Sequence, residues 1–177
     1  EQGAMLGVLG PNGSGKSNLL EALGVLGAAA FGRVDDETLQ RRGVRPGVPR
    51  LYKSAFPQTE AKNVPHICFG AEAGGGASFD VTLWNPIENP RPAWRFKTEN
   101  LRRSPSDAVL TRTTTSAGAH NAEQGMAALK TVELAPGDAV LELMDTLRSY
   151  SIYCPNTPTL RGLVSDQQSR EPIGLAG

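Results

Sequence analysis

A glycine-rich segment near the start of the 177-residue chain holds the residues whose types and spacing are best suited to chemistry. Residues 10–17 read Gly-Pro-Asn-Gly-Ser-Gly-Lys-Ser, which is the G-x-x-x-x-G-K-S pattern of a phosphate-binding loop, or P-loop. Glycines let such a loop curl tightly and aim successive backbone N–H groups at an anion. The predicted phosphate-binding residues are Gly10, Asn12, Gly13, Ser14, Gly15, Lys16, Ser17 and Asn18.

Two side chains of the loop have separate expected roles. The Lys16 ammonium is expected to reach the β- and γ-phosphates, and the Ser17 hydroxyl is expected to ligate Mg²⁺ as the metal residue of the site. A helix that begins near Gly15 adds the positive end of its dipole at the same place. The pattern therefore predicts that the chain binds a nucleoside triphosphate together with magnesium.

The elements on either side of the loop fit this prediction. Residues 5–9 form an apolar run of strand length, and residues 16–30 predict a helix that is apolar nearly all round. A helix of that kind is expected to be buried. Gly24 and Gly27 are expected to let it pack closely on a sheet.

Further along the chain the pattern predicts an antiparallel β-meander, which differs from the alternating βαβ units of kinases and small GTPases. Residues 66–72 and 78–84 flank a glycine turn and predict a hairpin, and residues 93–101 predict a third strand. The other predicted elements are helices at residues 35–42, 122–130 and 138–148, a strand at 150–154, and loops at 104–120 and 155–177.

A nucleotide-hydrolysing site also needs an apolar strand that ends in an aspartate, and no such strand is found. Asp35 and Asp80 do not follow apolar strands. Asp145 follows Leu-Glu-Leu-Met, where Glu142 interrupts the apolar run, and the spacing there is typical of a helix. GTPase motifs and the signature motif of ABC ATPases are also missing, so the catalytic residues are unknown from the sequence.

Composition narrows the classes of partner. Eighteen basic residues balance eighteen acidic ones, so no overall charge attracts nucleic acid or an anionic membrane. No apolar stretch is long enough to span a membrane and no basic leader is present, so we expect a cytoplasmic protein without a membrane partner. Cys68 and Cys154 are expected to be reduced, buried thiols, and two histidines, His66 and His120, exclude a histidine-rich metal site.

Two local clusters of basic residues leave two interpretations open, namely solvated surface charge or contact with the phosphate backbone of DNA. A DNA contact made by such residues would weaken steeply with salt. The first cluster is Arg41, Arg42, Arg45, Arg50 and Lys53, with no acid among residues 41–53. The second is Arg91, Arg95, Lys97, Arg102 and Arg103, with Glu99 between them.

Two stretches resemble a known family. Residues 10–23, Gly-Pro-Asn-Gly-Ser-Gly-Lys-Ser-Asn-Leu-Leu-Glu-Ala-Leu, resemble the Walker A region of the SMC/RecF-type branch of ABC ATPases. Residues 152–161, Ile-Tyr-Cys-Pro-Asn-Thr-Pro-Thr-Leu-Arg, are similar to a stretch of bacterial RecF-like AAA-family ATPases, including overcoming-lysogenization-defect-like ones. The predicted meander also resembles the N-terminal lobe of such ATPase heads.

The resemblance implies an α/β P-loop NTPase fold, in which residues 1–177 are the N-terminal lobe of an ABC-type head. It implies ATP and Mg²⁺ as cofactors and a second head, in a homodimer, as partner. It also implies that ATP hydrolysis, coupled to work on DNA or to defence, requires a C-terminal lobe carrying the Walker B and signature motifs. The glutamine loop of the family is expected after Cys154, where the first glutamines are Gln167 and Gln168.

Two alternatives stay open beside this interpretation. Because no catalytic carboxylate is found, the chain could be a non-enzymatic binding module whose association with a partner is gated by nucleotide. A different P-loop enzyme, such as a small kinase, is the other alternative, although the predicted meander argues against it. Under the main interpretation this chain alone is expected to bind nucleotide with weak or no turnover.

Overall fold

A four-stranded antiparallel sheet forms the largest element of the fold. The computed structural model describes residues 6–47, 49–52, 65–113, 125–153 and 161. The strands are β1 (His66–Glu72), β2 (Ser78–Trp84), β3 (Arg95–Ser104) and β4 (Asp107–Arg112), and they lie in the sheet in sequence order. This arrangement confirms the predicted antiparallel meander and adds a fourth strand to it.

Within the described residues, three α-helices accompany the sheet: α1 (Lys16–Phe31), α2 (Asp36–Arg41) and α3 (Ala139–Ser149). One face of the sheet is apolar, because Phe79, Val81 and Leu83 of β2 alternate with less buried residues and lie in the core. Helix α3 contacts β2 and β3 on one side and α1 on the other. The core is therefore a sheet covered by helices, with α3 as the link to α1.

Helix α1 has the predicted extent, but it is not buried all round. Residues 24–30 are buried, whereas Leu19, Leu20 and Leu23 in its first half are exposed. The buried part of α1 begins at Gly24, whereas its first half is contacted by polar groups, namely the Tyr150 hydroxyl at Leu20 and the Arg45 guanidinium at Glu21. A Cβ atom on Gly27 would lie 2.6 Å from the Leu147 carbonyl oxygen. This glycine therefore allows close packing against α3 instead of the sheet, although α1 also contacts β1.

Polar contacts fix α1 to residues from the far end of the described chain. The Arg148 guanidinium donates a hydrogen bond from Nε to the Ala30 carbonyl oxygen (3.1 Å). The Tyr150 hydroxyl donates to the Leu20 carbonyl oxygen (3.1 Å). The segment after α3 therefore closes over α1, although 118 and 130 residues of chain separate the bonded partners.

The apolar run before the P-loop is not a strand among the described residues 6–10. Leu6 is 87% exposed and Leu9 is 96% exposed. A strand needs a hydrogen-bonded neighbour, and the described sheet is wholly antiparallel and begins only at His66. The prediction of a strand at residues 5–9 is thus wrong for the part that the structure describes, because no described strand pairs with it.

Local signals predicted two of the helices well. Helix α2 begins after Asp35, whose carboxylate accepts a hydrogen bond from the Thr38 N–H (2.9 Å), as expected of an N-cap. Helix α3 begins after Asp138, whose carboxylate accepts a hydrogen bond from the Val140 N–H (2.9 Å). The predicted helices at residues 35–42 and 138–148 are confirmed within a residue or two.

Three other predictions need correction. Residues 107–112 form β4 instead of a loop, and residues 128–131 form a short 3₁₀ turn instead of the end of an α-helix. Residues 150–153 are not a strand, and the Ile152 N–H donates a single backbone hydrogen bond to the Arg42 carbonyl oxygen (2.8 Å), after α2. The predicted tail at residues 155–177, with the expected glutamine loop, lies outside the described residues apart from Arg161.

Two further expectations concern cysteine and the membrane. Cys68 is an exposed free thiol on the edge strand β1, with its sulfur 3.4 Å from the Thr82 hydroxyl, so the expectation that it is buried is wrong. Cys154, Lys53 and His120 lie outside the described residues. Among the helices that the structure describes, none combines the length and the apolar character needed to cross a membrane.

Candidate nucleotide-binding site

The backbone of the predicted P-loop adopts conformations that favour glycine. Gly13 and Gly15 have φ angles of 81° and 89°, in the left-handed region that other residues rarely adopt. A Cβ atom at either position would touch no protein atom. Packing does not require glycine at either position. The two glycines are needed because the backbone there has positive φ angles.

The ammonium group of Lys16 lies against the start of the loop. Its Nζ atom donates hydrogen bonds to the carbonyl oxygens of Gly10 and Pro11, each at 2.7 Å, and lies 3.5 Å from the Ser14 hydroxyl oxygen. The loop is closed on the same side by the Ser14 N–H, which donates to the Pro11 carbonyl oxygen at 3.3 Å. The lysine charge is thus held within the loop that precedes its own helix.

The N-terminus of α1 offers further donors. Gly15 is the N-cap and makes no side-chain capping bond, and the first turn contains no acidic residue. The first intrahelical bond is donated by the Leu19 N–H to the Gly15 carbonyl oxygen (3.0 Å), so the N–H groups of residues 16–18 precede it. These N–H groups and the helix dipole together make a positive end suited to phosphate.

The structure brings the predicted residues together around one open cavity of about 440 Å³. Gly10 does not line it, although its carbonyl oxygen accepts a hydrogen bond from Lys16. The residues that line the cavity are Asn12, Gly13, Ser14, Gly15, Lys16, Ser17, Asn18 and Arg45. Seven of the eight predicted residues therefore share the cavity, and Arg45 joins them from a distant part of the sequence.

Arg45 is held at the cavity by an ion pair that sequence patterns did not indicate. Its guanidinium donates two hydrogen bonds to the Glu21 carboxylate, including one from Nη2 to Oε2 at 3.0 Å. The hydrogen bonds to Glu21 and the charge of Glu21 raise the pKa of Arg45 above its usual value. No local signal links these residues, because 24 positions separate them and only the fold brings them together.

The first basic cluster is dispersed by the fold. Arg42 is only 2% exposed and donates to the carbonyl oxygens of Arg148 (2.7 Å) and Tyr150 (3.3 Å), so neither interpretation, solvated surface charge or DNA contact, fits this residue. Arg41 pairs with Glu37 on the next turn of α2. Arg50 is exposed, and Lys53 lies outside the described residues.

Side chains of the second basic cluster are also engaged in contacts. Arg103 pairs with Asp138 at 2.8 Å and with Asp107 at 3.3 Å. The Arg95 guanidinium lies 5.0 Å from the centre of the Trp84 ring, a cation–π distance. At least two of the five basic side chains are therefore engaged in contacts within the protein.

The chemistry of the cavity fits a polyphosphate, and it fits Mg²⁺ through one protein ligand. The Ser17 hydroxyl borders the cavity, and Mg²⁺ usually takes its remaining ligands from phosphates, waters and one or two carboxylates. Asp145 lies on α3, exposed and paired with Arg148, as the helical spacing predicted. Within the described residues, no group of three or more His, Cys, Asp and Glu side chains could hold a metal ion.

One comparison with known proteins bears on this site. A family model described as "AAA domain, putative AbiEii toxin, Type IV TA system" matches residues 5–72, which include the P-loop, α1, α2 and β1. No curated protein and no solved structure shows a significant match to the chain. The family match supports an AAA/ABC-type P-loop ATPase family, with nucleotide binding and ATPase activity in general.

Proposed function

We propose that residues 10–18 bind ATP together with Mg²⁺. Backbone N–H groups of the loop and of the first turn of α1 bind the phosphates, Lys16 neutralises the β- and γ-phosphates, and Ser17 ligates the metal ion. The observation that carries this proposal is the single cavity that gathers residues 12–18 around an uncapped helix N-terminus and a lysine ammonium.

We further propose that the chain acts as the N-terminal lobe of an SMC/RecF-like ATPase head, which pairs with a second head and works on DNA or in defence. The amino-acid sequence of residues 10–23 and the antiparallel meander support this assignment. Leu9 before the P-loop and Leu19 after it are exposed apolar residues. Their exposure supports the proposal that a second protein surface packs beside the P-loop.

Turnover by this lobe requires a carboxylate near the metal, and the described residues that line the P-loop cavity include none. Hydrolysis of a phosphate needs a positioned water and a carboxylate near the metal, and Asp145 is turned to solvent on α3. We therefore expect ATP binding without efficient hydrolysis unless a further lobe or head completes the site. The same observation favours the alternative of a nucleotide-gated binding module, and a turnover assay on the completed head separates the two.

The direct test is the substitution Lys16→Ala, followed by calorimetric titration with Mg-ATP. Loss of the ammonium removes a charge-assisted contact with the phosphates, so affinity is expected to fall by at least about 100-fold. The matched control is Lys130→Ala. The Lys130 ammonium lies over the ring of Phe31, which is at the end of α1 opposite the P-loop. Equal affinity of the Lys16→Ala variant and the unmodified chain would contradict the proposal.

A further inference from the structure

The tip of the P-loop places an asparagine directly before a glycine. The Ser14 N–H donates to the Pro11 carbonyl oxygen (3.3 Å), so Asn12 and Gly13 are the central residues of a tight turn. Both residues are exposed. Within the described part of the chain, no hydrogen bond engages the Asn12 amide or the Gly13 N–H. These two groups can therefore meet each other without first breaking a contact.

The chemistry open to such a pair is cyclisation. The backbone nitrogen of the residue after an asparagine can attack the side-chain carbonyl carbon, and a side chain on that following residue hinders the attack. Gly13 has none, and a Cβ atom built on it would meet no heavy atom within 4 Å. Glycine also adopts unusual backbone angles at little steric cost. Residues 12 and 13 are the only Asn-Gly pair in the sequence, so the reaction is favoured at one place.

The electrostatic field of the loop favours the same reaction. The Gly13 nitrogen attacks after it has lost its proton, and the attacked carbonyl oxygen gains negative charge, so nearby positive groups lower the barrier. The Lys16 ammonium donates to the carbonyl oxygens of Gly10 and Pro11, each at 2.7 Å, directly before the turn. The N-terminus of α1, with no acidic residue in its first turn, adds the positive end of its dipole. The groups that suit phosphate therefore also stabilise this anionic transition state.

We propose that Asn12 is a site of spontaneous deamidation in the nucleotide-free chain. The deprotonated Gly13 nitrogen forms a bond to Asn12 Cγ, the Cγ–Nδ2 bond breaks, and Nδ2 takes a proton from water and leaves as ammonia. Water then opens the cyclic imide at either carbonyl carbon. Opening at Cγ gives aspartate and opening at the main-chain carbon gives isoaspartate, so asparagine and water become a carboxylic acid and ammonia.

Deamidation switches off the site that it modifies. Both products carry a carboxylate in the loop that holds the phosphates, and isoaspartate also adds a carbon atom to the path of the backbone. This consequence rests on the proposed function. Bound phosphates accept hydrogen bonds from the loop N–H groups and cancel its positive field, so nucleotide slows the cyclisation. An occupied chain keeps its site, whereas an empty chain loses it with time.

The first test incubates the full chain in mildly alkaline buffer, with and without Mg-ATP, and follows deamidation by mass spectrometry. Trypsin cleaves after Lys16, and Asn12 is the only asparagine among residues 1–16, so one fragment reports on it. Without nucleotide, Asn12 is expected to react at least about tenfold faster than Asn100, and saturating Mg-ATP is expected to slow it at least about fivefold. Asn100 is the internal control because Leu101 follows it within β3.

A second test removes the positive charge beside the turn. Lys16→Ala is expected to slow deamidation of Asn12 by about threefold and to abolish the protection by Mg-ATP. The matched control is Lys130→Ala, which removes a charge beside the Phe31 ring and is expected to keep both the rate and the protection. Circular dichroism of each variant checks that it is folded.

A third test measures the effect of the product on binding. Asn12→Asp reproduces the aspartate product, and in calorimetry it is expected to bind Mg-ATP at least about tenfold more weakly than the unmodified chain. Asn100→Asp adds the same charge on β3 and is expected to leave the affinity unchanged.

Four outcomes overturn the proposal: Asn12 reacts no faster than Asn100, Lys16→Ala reacts as fast as the unmodified chain, Mg-ATP binds without slowing the reaction, or Asn12→Asp binds Mg-ATP with unchanged affinity. Failure of the proposed function gives a different result. Asn12 then deamidates without nucleotide, but Mg-ATP neither binds in calorimetry nor changes the rate.

Discussion

At the scale of single residues, Glu99 and Arg112 form an ion pair that is withdrawn from water. Their side chains are 0% and 3% exposed, and Arg112 Nη1 lies 2.8 Å from Glu99 Oε2. The Glu99 carboxylate also accepts hydrogen bonds from the N–H groups of Ala128 (2.8 Å) and Leu129 (3.4 Å). One carboxylate therefore connects β3 and β4 with the 3₁₀ turn (Ala128–Thr131).

This arrangement predicts a large effect of Glu99→Gln. The substitution leaves the Arg112 charge buried without compensation, so the free energy of unfolding is expected to fall by about 3–5 kcal/mol. Urea denaturation followed by circular dichroism measures this change. The control is Glu37→Gln, which breaks the exposed pair with Arg41 on α2 and is expected to cost at most about 0.5 kcal/mol. If the free energy of unfolding fell by a similar amount in both variants, burial would not be what makes the loss of the Glu99–Arg112 pair costly.

The site itself shows which residues a sequence can reveal. The P-loop residues are contiguous, so their spacing alone predicts their common function, and the structure gathers residues 12–18 at one cavity. Arg45 reaches the same cavity from the segment after α2, and Glu21 on the second turn of α1 pairs with it. Their contribution depends on tertiary packing, and for that reason no local pattern identifies it.

At the scale of elements, signals within one segment predicted α2, α3 and the first three strands, whereas β4 and the missing strand at residues 6–10 depended on partners elsewhere. Asp35 and Asp138 are N-caps that mark the starts of α2 and α3 in the sequence itself. By contrast, β4 exists because residues 107–112 pair with β3, and residues 6–10 lack such a partner in the described sheet. Hydrophobic patterning cannot supply that information, because pairing is not a property of one segment.

The contact between α1 and α3 gives a prediction at this scale. In Gly27→Ala the new Cβ atom would lie 2.6 Å from the Leu147 carbonyl oxygen, so the two helices must move apart. We expect a loss of about 1–3 kcal/mol in the free energy of unfolding, despite the higher helix propensity of alanine. Thermal unfolding followed by circular dichroism measures the change.

The matched control for this prediction is Gly74→Ala in the turn between β1 and β2. A Cβ atom there meets no heavy atom within 4 Å, and the backbone does not have a positive φ angle. Its stability is expected to stay equal or rise slightly, because alanine restricts the unfolded chain more than glycine does. A Gly27→Ala variant as stable as Gly74→Ala would show that the helices repack without cost.

At the scale of the whole molecule, apolar side chains are distributed unevenly. The core lies between the sheet and the helices, whereas Leu6, Leu9, Leu19 and Leu23 near the P-loop are exposed. Single exposed apolar residues are common, but a set of them near one functional loop is typical of an interaction surface.

We therefore predict that the double substitution Leu6→Ser and Leu9→Ser reduces self-association without lowering the melting temperature. Both side chains lie almost wholly in solvent, so their removal takes nothing from the core. Static light scattering over a concentration series measures the association, and differential scanning calorimetry measures the melting temperature. A fall of several degrees in melting temperature would mean that residues 6–9 pack against the rest of the chain.

The bonds from Arg148 and Tyr150 to α1 have a consequence for synthesis on the ribosome. The chain is made from its N-terminus at about 5–20 residues per second, so α1 emerges on the order of ten seconds before its partners at residues 148 and 150. During that interval the P-loop helix lacks the contacts that hold it, and its apolar side chains are open to chaperones. Helix α1 is therefore made early among the described elements and is among the last of them to gain its full set of contacts.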